Sequence, residues 1–225
     1  MTAKGTLFAA LESGTAVSKQ DYKKHVPGLR LELVELQRRV LDRAEFPVLV
    51  VIAGLNCAGR SETVNLLNEW MDPRFLATEA YGPPTPEELA HPPAWRYWRD
   101  LPPNGRIALF MNAWYTQPMV QRFEKTIRRR RFEAHLDRAA AFEKVLTDDG
   151  ALVLKFWMHL GKASQKRRFK TLEKDPLQRW RVTKRDWKHW RLYNEFIDAA
   201  EHAIARTSRG GSPWKIVDGS DPGFA

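Results

Sequence analysis

An α/β fold with a mostly parallel sheet is the architecture this sequence predicts, and three observations predict it. Short apolar runs at 46–53, 106–111, 151–158 and 213–217 alternate with amphipathic or heavily charged stretches. The first run, Phe46-Pro47-Val48-Leu49-Val50-Val51-Ile52-Ala53, is β-branched and continuously apolar, the pattern of a strand covered on both faces. It leads straight into a glycine-bracketed loop and then a helical segment. Strand–helix–strand alternation of this kind builds parallel sheets.

Taken in order, residues 18–42 carry Leu29, Leu33, Leu36 and Val40 at helical spacing, which predicts a long amphipathic helix. Pro27-Gly28 is expected to divide it in two. After the first strand, Glu62 to Met71 reads as a helix stopped by Asp72-Pro73. Prolines at 83, 84, 86, 92 and 93 mark an irregular stretch. A single charged helix is expected from about Gln117 to Leu146, and Asp148-Asp149-Gly150 turns it into the strand at 151–158. A helix from about Lys184 to Arg206 precedes the last strand at 213–217.

With 225 residues, 43% hydrophobic and 28% charged, the chain can bury a core. One cysteine excludes a disulfide framework or a thiolate zinc cluster and fits a reducing compartment. The longest apolar run, Phe46 to Leu55, is too short to span a bilayer. Residues Met1 to Ser13 lack a signal-type apolar region and carry Glu12, so a cytoplasmic location is expected. Net charge is +10, from 37 Lys and Arg against 27 Asp and Glu. Between Lys162 and Arg191 there are 12 basic and 3 acidic residues, so this window holds +9 of it. A field so concentrated suits a polyanionic partner, although a solvated helix face is the competing reading.

The loop reads Gly54-Leu55-Asn56-Cys57-Ala58-Gly59-Arg60-Ser61, which has the G-x-x-x-x-G-K-[ST] spacing with arginine in place of lysine. In such loops backbone N–H groups close around phosphate at a helix N-terminus, the lysine reaches the β/γ-phosphates and the hydroxyl holds Mg²⁺. Gly54, Ala58, Gly59, Arg60 and Ser61 are therefore the candidate phosphate or nucleotide contacts. An ordinary glycine turn is the bland alternative.

At this point the sequence resembles the polyphosphate kinase 2 family, especially the tandem-domain polyphosphate:AMP phosphotransferases. The resemblance runs from about residue 20 to the end. It is carried by Val51–Ser61, Glu62–Trp70, Pro92–Arg99, Gly105–Tyr115, Lys155–Leu160, Gln165–Phe169, Asp175-Pro176, Thr207-Ser208 and Pro213-Trp214. It implies a P-loop kinase-like three-layer α/β/α fold with about five strands and a helical lid near 160–206. Domain bounds follow: a helical segment at 1–45, the kinase-like domain at 46–219 and a truncated-looking tail at 220–225. The family's reaction is Mg²⁺-dependent phosphoryl transfer between inorganic polyphosphate and a nucleoside phosphate such as AMP or ADP. The basic window falls on the lid, so Lys162, Lys166, Arg167 and Arg168 are the expected polyphosphate contacts.

The departures fall on the chemistry. Family members have aspartate at the position of Asn56 and lysine at Arg60. Their Phe-Asp-Arg-Ser-Trp-Tyr motif reads Phe110-Met111-Asn112-Ala113-Trp114-Tyr115 here. A thioether is no Mg²⁺ ligand, and an amide lacks the carboxylate charge. The resemblance thus implies a half with no intact catalytic residue and poor Mg²⁺ binding, similar to the degenerate N-terminal domain of the tandem enzymes. Such a half serves structure, polyphosphate binding, or pairing with a second family domain or another copy. A stand-alone scaffold for polyphosphate or nucleic acid, without turnover, is the alternative; no nucleic-acid motif supports the latter ligand.

Other residues carry blander expectations. Cys57 reads as an inert filler rather than a reactive thiolate. His159 is a phosphate contact or a structural histidine, and the six histidines show no metal spacing. Trp95, Trp98 and Trp114 pack the core or line a cleft. Trp180, Trp187 and Trp190 are interleaved with the basic run, and their spacing favours packing over base stacking.

Overall fold

The computed structural model describes residues 7–8, 17–208 and 210–221. Helix α1 (Lys19–Arg43) precedes strand β1 (Val48–Gly54), followed by α2 (Arg60–Trp70), a 3-10 turn at Pro73–Phe75 and β2 (Leu76–Ala80). Short helices α3 (Pro86–Leu89) and α4 (Trp95–Arg99) lead to β3 (Ile107–Met111), α5 (Thr116–Phe123), α6 (Arg129–Asp148) and β4 (Leu152–His159). The chain continues through α7 (Lys162–Lys174), a 3-10 turn at Arg179–Arg181, α8 (Lys184–Arg191), α9 (Tyr193–Thr207) and β5 (Trp214–Asp218).

Among the described residues these strands form one parallel sheet in the order β2-β3-β1-β4-β5. β1 sits at its centre, with Val48 paired to both Ile107 and Leu152. Six of its seven residues are buried, as expected for a strand covered on both faces. Helices α1 and α2 pack together, while α5, α6 and α9 pack against one another. The predicted α/β/α fold and parallel five-stranded sheet are present. No helix among the described residues is long and apolar enough to cross a membrane.

Several local expectations need correction. α1 runs unbroken through Pro27. Residues around that proline are largely exposed, so water can bond the carbonyl that loses its donor. The farther end of α1 is held by buried Gln37, whose side chain bonds the carbonyl and N–H of Asp72 at 2.9 and 2.8 Å. The stretch 117–146 forms two helices rather than one. Lys125 adopts φ 61°, and the N–H groups of Thr126 and Ile127 both return to the carbonyl of Gln121. The helix expected at 184–206 is likewise divided, at Leu192 between α8 and α9. β2 was not anticipated, because this edge strand is mostly exposed and lacks the apolar signature. Residues 222–225 of the tail, and most of 1–16, lie outside the described residues.

A charged cluster lies inside the core. Lys155 on β4 is fully buried and pairs with the Glu143 carboxylate of α6 at 2.6 Å. Its ammonium also donates to the Thr207 carbonyl at 2.9 Å. Trp114 and Tyr115 both donate to the other Glu143 oxygen, at 3.0 and 2.7 Å. Burial lowers the Lys155 pKa, with Glu143 opposing. Burial and the Glu143 charge push the Tyr115 phenol well upward. Buried charges persist only when paired and hydrogen-bonded, and every charge in this cluster is.

Candidate phosphate-loop site and lid

The loop leaves the carboxyl end of the central strand, where parallel sheets open their crevice. Its entry is tight. Gly54 has φ 137°, and a Cβ there would lie 2.1 Å from the Met158 carbonyl of β4. Cys57 and Gly59 also adopt positive φ, 61° and 95°, as the chain turns into α2. The N–H groups at the start of α2 have no intrahelical acceptor, so the loop has the form of an anion cradle. Of the predicted contacts, Gly54, Ala58, Gly59, Arg60 and Ser61 stand together at this turn, with Ala58 buried and Ser61 exposed.

The divergent positions bond to one another. Arg60 donates to the Asn112 side-chain oxygen at 2.6 Å and to that of Asn56 at 3.1 Å. The Asn56 amide then donates to the Asp186 carboxylate at 2.7 Å. The Asn56 amide is thereby oriented, oxygen to cation and nitrogen to carboxylate, and the Asn112 oxygen faces the same cation. Strand pairing explains part of this convergence: β1 and β3 are neighbours, Ile52 pairs with Met111, and both strands end at the same edge. Asn112 follows β3 with φ 52°, which turns it out of strand geometry. Met111, half-buried, lies at the end of β3, and its carbonyl accepts from the Tyr81 N–H. Burial holds Arg60 below the ordinary guanidinium pKa, with negative neighbours opposing.

Asp186 belongs to the lid, and further lid contacts close over the same loop. The Thr183 side chain and Asp186 form a capping box at the start of α8. Gln165 donates to the Asn56 carbonyl at 3.0 Å and Arg168 to the Cys57 carbonyl at 2.6 Å. Arg181 pairs with Glu62 of α2 at 2.5 Å. Burial is the largest single influence on Glu62 and works to raise its pKa, but the Arg181 hydrogen bond, a backbone N–H and the charges of Arg181 and Arg168 together outweigh it, so the net direction is downward. The Cys57 thiol is pushed up to about 11, chiefly by burial. It is therefore a protonated, unreactive thiol at neutral pH.

The four predicted polyphosphate contacts divide. Lys166 and Arg167 are exposed, Lys162 is half-buried, and Arg168 turns inward to the loop. Lys162 and Lys166 lie over the Trp190 ring, 5.2 and 5.1 Å from its centroid. Trp187 packs edge-on against Phe169, and its indole donates to Glu173 at 2.7 Å, so these rings serve the lid's own packing. Trp180 is 74% exposed. His159 is fully buried beneath Phe8, stacked at 4.3 Å, and is a core residue rather than a phosphate contact.

Next to the loop opens a cleft of about 920 Å³. Asn56, Arg60 and Asn112 line one part, and Trp98, Trp114 and Phe142 another. His135 and Arg138 of α6, and Arg185 and His189 of α8, also line it. The sequence reading missed the last four together with Asp186; their signal was only helical spacing on two charged helices. Among the described residues no three His, Cys, Asp or Glu side chains come together as a metal-ligand group.

The family described as Polyphosphate kinase 2 (PPK2) matches residues 16–225. A polyphosphate:AMP phosphotransferase of Pseudomonas aeruginosa is 43% identical over 96% of this chain, which spans 43% of that protein. An AMP/ADP-polyphosphate phosphotransferase of Meiothermus ruber is 27% identical over 93% of this chain and 77% of its own length. A crystal structure titled as a putative polyphosphate kinase 2 from P. aeruginosa superposes with TM-score 0.86 at 39% identity, over 97% of this chain and 44% of that one. A polyphosphate kinase 2 structure from Arthrobacter aurescens, at 24% identity and TM-score 0.84, shares the fold. With a family match over nearly its whole length, the chain belongs to the polyphosphate kinase 2 family.

Proposed function

We propose that this chain is a module of a polyphosphate:AMP phosphotransferase whose own phosphate loop holds polyphosphate or pairs with a second domain and does not turn over. One observation carries the reading: Arg60, Asn56, Asn112 and Asp186 satisfy one another where the family places charged catalytic groups. The donor set does not fit Mg²⁺. The two amide oxygens already accept from a guanidinium, Met111 offers a soft sulfur, and the Asp186 carboxylate is shared with Asn56 and Thr183. No reaction step is therefore routed through a metal in this chain.

The expected binding determinants are the outward cations of α7 and the loop N–H groups. Inorganic polyphosphate is the expected ligand, with AMP or ADP as the nucleotide partner of the whole enzyme. A second family domain or another copy is the expected macromolecular partner, and a cytoplasmic setting suits these ligands. Polyphosphate binding should weaken steeply with added salt, as counterion release requires. Lys166→Ala with Arg167→Ala should weaken it severalfold while leaving the inward Arg168 contact intact. Isothermal titration at two salt concentrations checks both. Affinity indifferent to salt and to the double substitution would overturn the lid assignment. Equal competition by duplex DNA would instead favour a general polyanion scaffold.

A further inference from the structure

Helix α8 is fastened on two sides of the cleft. On the loop side, Asp186 accepts from the Asn56 amide at 2.7 Å. On the other side, Glu124 at the C-terminal end of α5 meets two α8 side chains with one carboxylate oxygen, His189 Nε2 at 3.0 Å and the Lys188 ammonium at 3.3 Å. Val120 and Gln121 of α5 line the cleft, as do Arg185, Asp186 and His189 of α8, so the Glu124 contact ties one wall to another.

The surroundings of His189 make this contact sensitive to a proton. The His189 and Glu124 side chains are 16% and 18% exposed, so water competes little for either. The ring packs edge-on against Phe123, centroids 4.8 Å apart, and Phe196 of α9 packs on Phe123 at 5.1 Å. The charged groups facing the ring are Glu124 from α5 and Lys188 and Arg185 from α8. Arg185 Nε lies 3.4 Å from the same Nε2 that meets Glu124. One ring nitrogen cannot donate to Glu124 and accept from Arg185 at once. A neutral imidazole therefore divides between two tautomers, one bonded to each neighbour. A protonated ring carries N–H on both nitrogens, so it keeps the Glu124 bond, now charge-assisted, and turns Arg185 away. Burial is the largest single influence on Glu124 and works to raise its pKa, but the bonds and charges of His189 and Lys188 together outweigh it. The net direction is downward, so the carboxylate is ionised when the ring takes its proton.

We propose that the His189–Glu124 contact is a proton-operated latch that holds α8 across the cleft, tight when the ring is protonated and loose when it is neutral. Histidine changes charge between about pH 5 and 8, where ordinary carboxylates stay ionised. The charge-assisted bond is thus present at the acid end of that range and lost as pH rises. The Glu62–Arg181 contact, with its depressed carboxyl pKa, does not change there. Closure also releases Arg185 into the cleft. None of this depends on what the loop binds, so the latch stands or falls apart from the polyphosphate reading.

Hydrogen exchange of the full chain between about pH 5.5 and 8 tests the latch, with each rate normalised to that of unstructured peptide at the same pH. Protection in α8 should be about fivefold higher at the acid end, the gain expected when a neutral hydrogen bond becomes charge-assisted. Protection in α9 should stay level. His189→Gln keeps an N–H donor without a titrating charge, so its α8 should hold the alkaline level throughout. Glu124→Gln removes the charge of the acceptor and should flatten the response as well. His135 also lines the cleft, but it lies on α6, where burial, then Arg138 and Arg131, lower its pKa. His135→Gln should therefore leave the α8 response intact. Equal α8 protection at both ends of the range in the unmodified chain overturns the proposal. So does a response that survives in His189→Gln or Glu124→Gln, that vanishes in His135→Gln, or that is as large in α9.

Discussion

Two polar networks sit at different depths of this molecule. The Lys155–Glu143 cluster is sealed between β4, α6 and the end of α9, with every charge bonded. The Arg60–Asn56–Asn112–Asp186 network lines the cleft and bridges loop to lid. Removing a partner from the first strands a charge away from water, whereas the second is only half-buried and borders the open cleft. Depth therefore separates a network required for folding from one that only sets the position of a lid. The second can lose catalytic groups with little penalty to the fold.

The largest effect should come from the deep network. Lys155→Met leaves the Glu143 carboxylate buried without its cation and should cost about 3–5 kcal/mol in urea unfolding. Adding Glu143→Gln should recover much of that loss. If the single change costs less than about 1 kcal/mol, the depth argument fails.

The shallow network should respond in position rather than stability. Asn56→Asp replaces the amide donor with a second carboxylate beside Asp186. Stability should change by only about 1 kcal/mol. Hydrogen exchange in α8 should quicken, and Cys57 should become easier to alkylate as the lid lifts. In the unmodified chain at pH 8, a thiol near pKa 11 is only about one part in a thousand thiolate, so alkylation should be slow. Unaltered exchange and alkylation in the variant would mean that Asp186 does not hold the lid.

A smaller effect concerns pH. Glu62 has a depressed folded-state pKa, so its contact with Arg181 contributes above the unfolded value and is lost as pH falls through the folded one. Lid exchange should therefore quicken as pH drops below the usual carboxylate value of about 4.5. Glu62→Gln should remove that dependence; an undiminished acid response would place its origin elsewhere.

Strands β1, β3, β4 and β5 were legible because each carries a dense apolar run. β2 was not, since an exposed edge strand needs no such pattern. The break before α6 was hidden because no glycine or proline marks it; Lys125 takes the left-handed turn instead. At the site, Asn56 and Arg60 were visible within the loop motif. Their bond to Asn112 depends on which strands are neighbours, and Asp186 arrives from 130 residues away in sequence. Lys155 gave one faint signal, a lone cation in an apolar strand, but its partners lie on other elements.

The central claim is that the mutually satisfied loop does not catalyse. The direct measurement is phosphoryl transfer between polyphosphate and AMP or ADP by the purified chain, first with Mg²⁺ and then with Mn²⁺. Loss of one organising group in an electrostatically stabilised site costs on the order of 10²–10³ in rate, and several groups differ here. The variant Asn56→Asp, Arg60→Lys, Met111→Asp, Asn112→Arg, assayed beside it, restores the family's charged groups. The account predicts negligible turnover by the unmodified chain and a measurable gain in the variant. Robust turnover by the unmodified chain would contradict it.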